Sequence, residues 1–245
     1  ILGLSGPTVV VPMAIIFLRR QPEDIGLLPD GEKNQFAASE ENTEGMEVNE
    51  QSWTRSEAIR TPAFWLMVLG FGIAGFATSI QAVFRIPHFV ERGIDAQLVA
   101  WAVSADAVAA GVCAAFISGR LSDRFAPRYM AMFGFLILIN AALFTVIGDT
   151  VPELFIAYLS FGIAMSFIMV AQNVLWANIF GRTHLGSIRG ITIPLIMVIS
   201  ATAFPLTGYI RDEVGEYTPV WWISAIGLIV AFIVISQVRA PRTRK

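Results

Sequence analysis

The chain has 245 residues, of which 55% are hydrophobic and only 15% charged, and its mean hydropathy is +0.64. A soluble domain carries about 25% charged residues, so the composition exceeds the needs of one globular core and points to a bilayer. The formal net charge of −2 gives no footprint for a nucleic-acid partner, and one cysteine (Cys113) with His88 and His184 in separate segments excludes an internal disulfide and a Cys/His metal cage.

In chain order, residues 1–18 form an uncharged apolar run that opens at Ile1. It lacks the charged n-region and small-residue cleavage site of a signal peptide and reads as the end of a membrane span. Residues 19–60 follow as a long polar segment with 10 acidic and 5 basic residues, expected to be disordered around Asn34–Gln51. Pro29-Asp30-Gly31 marks a turn within it. Its last part, Trp53 to Arg60, is expected to form a short helix along the membrane surface.

A helix needs roughly 20 apolar residues to cross a hydrocarbon layer about 30 Å thick. Six further runs meet that requirement: 63–84, 96–118, 129–147, 153–179, 190–210 and 219–238. Start signals precede them. Thr61-Pro62 and Thr218-Pro219 place a capping hydroxyl before proline, Asp95 is placed to cap the second run, and Thr150 with Glu153 has capping-box spacing. The fold class is therefore an all-α integral membrane bundle. Its domains are a span end at 1–18, a central loop at 19–60, a six-helix domain at 61–238 and a tail at 239–245.

Lys and Arg set the expected orientation. Segments 19–60, 119–128, 180–189 and 239–245 hold 5, 3, 2 and 4 of the 17 basic residues, while the opposite side holds Arg85, Arg92 and Arg211. The basic segments are expected to be cytoplasmic, in a cell membrane. Trp221 and Trp222 are expected in the aromatic belt of the other surface.

Few polar residues enter the spans. Asp106 lies beside residue 107, the centre of its run, where a carboxylate costs about 2.5–3.5 kcal/mol to insert. It points away from the series Gly111, Ala115, Gly119, which is spaced for close approach of another helix. It shares a face with Ala109, Ala110 and Cys113, the kind of face that lines a water-filled cavity. There it is expected to take part in proton coupling or to bind a cationic or hydrogen-bonding group, with a structural role inside the bundle as the alternative. Ser166, Gln172 and Asn173 are candidates for the same path, although interhelical hydrogen bonding explains them as well. Asn140 reads as packing. Gln81 is expected at the mouth and Arg85 to snorkel to the interface. Gly70, Gly72 and Gly75 read as a thin helix surface, and Pro194 and Pro205 predict kinks.

The turn after the second of these runs reads Gly119-Arg-Leu-Ser-Asp123-Arg124-Phe-Ala126-Pro127-Arg128. It resembles the cytoplasmic signature of the major facilitator superfamily, with Gly119, Asp123, Arg124 and Arg128 in register and Ala126 and Pro127 departing from it. The long preceding segment makes it similar to the copy after the eighth helix. Arg19-Arg20 through Gly31, Arg60 through Trp65 and Phe180 through Gly190 resemble the matching loops of monocarboxylate and oxalate/formate carriers. The resemblance implies the end of helix 6 followed by helices 7–12, with 129–147 and 219–238 at the periphery. It implies alternating-access carriage of a small solute, with proton or other ion symport, beside an N-terminal six-helix half that lies outside this sequence. It also implies a conformational latch at Gly119, Asp123, Arg124 and Arg128, for which plain positive-inside anchoring is the alternative. No catalytic set, cofactor or metal is expected. A cation for an organic anion is absent from the second and fifth of the six runs, so such a solute would draw it from the other half. A permease-like sensor and, more remotely, a membrane-embedded enzyme are the competing functions.

Overall fold

The computed structural model describes residues 52–122 and 124–239. The expectations for 1–51, for Asp123 and for most of the tail lie outside the described residues. Where described, the chain is helical: α1 Arg55–Ile59, α2 Pro62–Glu91, α3 Ala96–Ser122, α4 Pro127–Ile147, α5 Val151–Phe180, α6 Leu185–Ala201, α7 Ala203–Val214 and α8 Thr218–Ser236. With α6 and α7 taken together as one span, six helices are long and apolar enough to cross a membrane.

The caps follow the sequence. The Thr61 hydroxyl accepts from the Phe64 N–H at 3.3 Å, Asp95 accepts from the N–H groups of Gln97 and Leu98, and Thr150 and Glu153 form the capping box. Each satisfies N–H groups that the first helical turn leaves without partners. At the last helix the cap sits one residue earlier than expected. Tyr217 is the N-cap, and the Thr218 hydroxyl donates instead to Glu216 at 3.2 Å.

Contacts between helix ends sort the loops onto two faces. At the basic end, the Trp53 N–H donates to the Phe180 carbonyl at 2.9 Å and Arg128 donates to the Val238 carbonyl at 3.1 Å. At the opposite end, Arg92 meets Asp149 and Arg211 meets Glu91, both at 3.0 Å. Successive long helices therefore run antiparallel, as six crossings require.

The core runs along α2, α4, α5 and α8. Phe64, Met67, Phe71, Phe135, Leu138, Phe167, Trp176 and Leu228 are among its buried side chains. The glycines of α2 are placed by contact. A Cβ at Gly70 would come within 2.7 Å of Ile235 on α8, one at Gly72 within 2.7 Å of Ile199 on α6, and one at Gly75 would strike the Ser200 hydroxyl.

Burial is uneven. In α2 and α5, 56% of the most apolar stretch is buried, against 17% in α3 and in the α6–α7 span. Trp101, Val108 and Phe116 on α3, and Met197, Val198 and Tyr209 on α6 and α7, stand exposed.

Three features depart from the sequence reading. Helix α2 continues seven residues past the expected end at 84, through Pro87, and stops where Gly93 takes φ +84° and lets the chain leave the helix. The helix of the span carrying Pro194 and Pro205 is interrupted at one place. It breaks at Thr202, beside Ala201, whose carbonyl Pro205 cannot satisfy, while α6 runs on through Pro194. Trp221 is fully buried beside His88, with ring centroids 5.3 Å apart, so only Trp222 of that pair is exposed.

Candidate solute and ion site

Side chains on a helix tilt toward its N-terminus. On α2 that direction leads from Arg85 back into the bundle, away from the near end at Glu91. Arg85 follows it and is only 2% exposed. Its Nη2 donates to Asp106 Oδ2 on α3 at 3.2 Å. Its Nε donates to the Gln81 carbonyl one turn back, and its Nη1 to the Ala157 carbonyl on α5 at 3.4 Å. The guanidinium also lies over the Tyr158 ring at 4.1 Å and the Phe161 ring at 3.9 Å. Three helices thus converge on one cation.

Asp106 reaches this position because α3 and α5 touch at a glycine. A Cβ at Gly162 would strike the Asp106 carbonyl oxygen and lie 2.6 Å from Oδ1. The Asp106 side chain keeps 15% of its surface exposed, against 2% for Arg85. A carboxylate half-buried within a membrane-span helix must be neutralised or paired, and here it is paired with Arg85.

This corrects several expectations. Arg85 does not snorkel: α2 outruns the uncharged stretch, so Arg85 stands six residues, about 9 Å at 1.5 Å per residue, inside the helix end. Gln81 is not at a mouth. It is fully buried, with Nε2 donating to the Ser224 hydroxyl at 3.3 Å and to the Leu138 carbonyl at 3.5 Å. Asp106 does not look onto an open small-residue face but into the contact with α2 and α5. The series Gly111, Ala115, Gly119 is no seam among the described residues, since a Cβ at Gly111 meets nothing within 4 Å and one at Gly119 only the Ala114 carbonyl at 3.8 Å.

The remaining candidates are not gathered at Asp106. Ser166 is buried and donates to the Ile163 carbonyl of its own helix at 2.8 Å. Gln172 is half-buried, and Asn173 is exposed and donates to the Met169 carbonyl at 2.9 Å. Both lie at least ten residues beyond Gly162 along α5, about 15 Å toward the basic end. Asn140 accepts from the Ser160 hydroxyl at 3.1 Å, tying α4 to α5.

In the basic turn, Gly119 and Ser122 bound the final turn of α3, and the Ser122 hydroxyl donates to the Gly119 carbonyl. Arg124 is exposed. Arg128 is engaged within this bundle. It donates to the Val238 and Ser236 carbonyls at the end of α8 and packs on the Tyr129 ring at 5.0 Å. A cation at the carbonyl end of a helix is favourably placed.

A second polar cluster, unremarked by sequence, occupies the opposite end. His88 is buried and donates through Nε2 to the Thr145 carbonyl at 2.9 Å. Arg92 also donates to the Gly148 carbonyl, and Arg211 lies over the Tyr217 ring at 5.1 Å. Among the described residues, the buried Tyr158 hydroxyl, Thr207 hydroxyl and Trp221 Nε1 have no hydrogen-bond partner.

Six helices long and apolar enough to cross a membrane, three of which close on the Arg85–Asp106 pair, define a multi-pass membrane protein. The profile of the Major Facilitator Superfamily matches residues 67–245, and the chain belongs to that family. It is also 29% identical over 193 residues to a human protein named Monocarboxylate transporter 11, a match covering 73% of this chain and 40% of that relative. The chain thus spans well under half the length of the curated relative it matches.

Proposed function

We propose that this chain is the C-terminal part of a secondary transporter that carries a small solute by alternating access, coupled to a proton. The observation that carries the reading is the Arg85–Asp106 pair at 3.2 Å, enclosed by three helices in the membrane, with the carboxylate more open than the cation. Ionisable residues inside a span are costly and are kept where ions or substrates move. A proton taken up by Asp106 neutralises the carboxylate and leaves Arg85 without a counter-charge, so it favours an anionic group arriving beside it. The relative's name speaks of monocarboxylates. Arg85 supplies for such a solute the cation that neither α3 nor the α6–α7 span carries near its middle. The bare faces of α3 and α6–α7 support a further six-helix half packed against them, with the solute path between the halves.

The test is Asp106→Asn in the full-length protein reconstituted in liposomes. Insertion is expected to be retained, accumulation driven by a pH gradient to be lost, and exchange down a solute gradient to survive. A second reading, favoured by the tightness of the contact at Gly162, makes the pair a staple between helices. Normal accumulation by Asp106→Asn against a gradient establishes the staple and removes the coupling role.

A further inference from the structure

We infer that the aromatic cradle of Tyr158 and Phe161 keeps proton movement tied to solute movement by preventing Arg85 from leaving its site when Asp106 is neutral. The inference rests on the coupling reading of the Arg85–Asp106 pair and concerns its regulation. An arginine six residues from a helix end has a stem long enough to carry its charge toward the interface. If Arg85 took that course, Asp106 would take a proton from one side and, once the carrier switched exposure without solute, release it to the other, and the gradient would be dissipated.

The surroundings of Arg85 oppose that escape independently of Asp106. The guanidinium lies about 4 Å from two rings, at 4.1 Å and 3.9 Å, and cation–π attraction strengthens when the cation is removed from water. Both rings come from one face of α5, three residues apart, and flank the Ala157 carbonyl side of the site. Tyr158 is 1% exposed and itself packs on Phe89, with ring centroids 6.1 Å apart. The rings are thus fixed by the core and do not follow the cation. The Gln81 and Ala157 carbonyls hold two more of the Arg85 nitrogens.

With Asp106 neutral, a held Arg85 is a buried cation without a counter-charge, a state that costs free energy until an anion replaces the carboxylate. Protonation without solute is therefore disfavoured. The other titratable group facing the pair is Tyr158 on α5, and α3 contributes no second ionisable side chain until Cys113, two turns on. The Tyr158 hydroxyl has no partner among the described residues, and Tyr158 acts on Arg85 through its ring.

The experiment measures proton flux with and without solute in liposomes holding the full-length protein, using small monocarboxylates as the solute probe. In the unmodified protein, proton flux is expected to require solute. Tyr158→Leu and Phe161→Leu are expected to raise solute-independent proton flux at least tenfold relative to coupled flux, and Tyr158→Phe, which restores a ring face, to return it to the unmodified ratio. In an Arg85→Gln background the ring substitutions should add nothing, since the cation they hold is gone. Solute-independent flux that stays at the unmodified level in both leucine variants overturns the inference, as does a Tyr158→Phe variant that leaks as much as Tyr158→Leu. If the unmodified protein and Asp106→Asn show the same pH-independent transport, it is the coupling reading itself that fails.

Discussion

At the scale of single residues, the asymmetry within the Arg85–Asp106 pair decides what substitution does. Removing one member of a buried pair leaves the other uncompensated, at a cost of about 3–5 kcal/mol. Arg85→Gln alone is therefore expected to destabilise the protein in detergent by no more than the lower end of that range, measured by thermal unfolding, because the more open Asp106 can neutralise itself by taking up a proton. Arg85→Gln with Asp106→Asn should regain most of it, because no charge is then left without a partner. A double variant no more stable than Arg85→Gln would mean that the cradle, and not the ion pair, holds the three helices. Glu57 offers a second case, outside the spans. Hydrogen bonds from the Thr54 hydroxyl and N–H hold its carboxyl below the usual glutamate range. A depressed carboxylate pKa contributes stability that is present above the unfolded value and lost as pH falls through the folded one. Acid below the ordinary glutamate range should thus loosen α1. Hydrogen exchange at the Trp53 amide, bonded to the Phe180 carbonyl, is expected to rise in step, and Glu57→Gln should remove that pH dependence.

At the scale of helices, the α3–α5 contact has one glycine at its centre. Gly162→Ala would place a methyl group against the Asp106 backbone, where the colliding atom is a carbonyl oxygen that cannot rotate away. Overpacking of this kind costs about 1–3 kcal/mol. The expected outcome is a fall in thermal stability of that size, together with weakened pH-driven accumulation as Asp106 is displaced from Arg85. Stability and coupling equal to the unmodified protein would show that α3 shifts freely along α5. Segment length also explains what was legible in the sequence. The six spans, most caps and the glycine surface of α2 could be read from the runs of apolar residues and the residues that punctuate them, because hydrocarbon thickness and helix-end chemistry act locally. The central ion pair could not. The uncharged run ends at Arg85 itself, so a reading by charge cuts the helix there, whereas the stop lies at Gly93 and the bundle accepts Pro87. Gly162 likewise has no local signature, since its need arises from another helix's backbone. The Gly111 series carried the opposite lesson: its small residues lie on a face that no described helix covers.

At the scale of the whole molecule, the bundle presents two well-covered helices and two bare ones. A soluble protein would bury Trp101, Val108, Phe116, Met197 and Tyr209; here a bilayer or a second set of helices covers them. On the proposed reading, reconstitution of residues 1–245 alone is expected to yield inserted protein with no saturable uptake, and addition of the proposed N-terminal half to restore it. Saturable uptake by the shorter chain would place the whole solute path within the helices described. Reporters inserted near Asp149 and near Arg124 are expected on opposite sides of the membrane, as the antiparallel order of α4 demands.

The anchorage of Trp53 at Phe180 gives α5 a mechanical character. This helix is a rod bonded at its basic end to the Trp53 backbone, just ahead of α1. About 33 Å further on, at 1.5 Å per residue, it bears Tyr158 and Phe161 against the guanidinium. A rod this long and this well packed does not absorb strain along its length. A displacement imposed at Trp53 would therefore reach Tyr158 and Phe161 as a shift of the whole helix, which would make this one backbone bond a handle on the site.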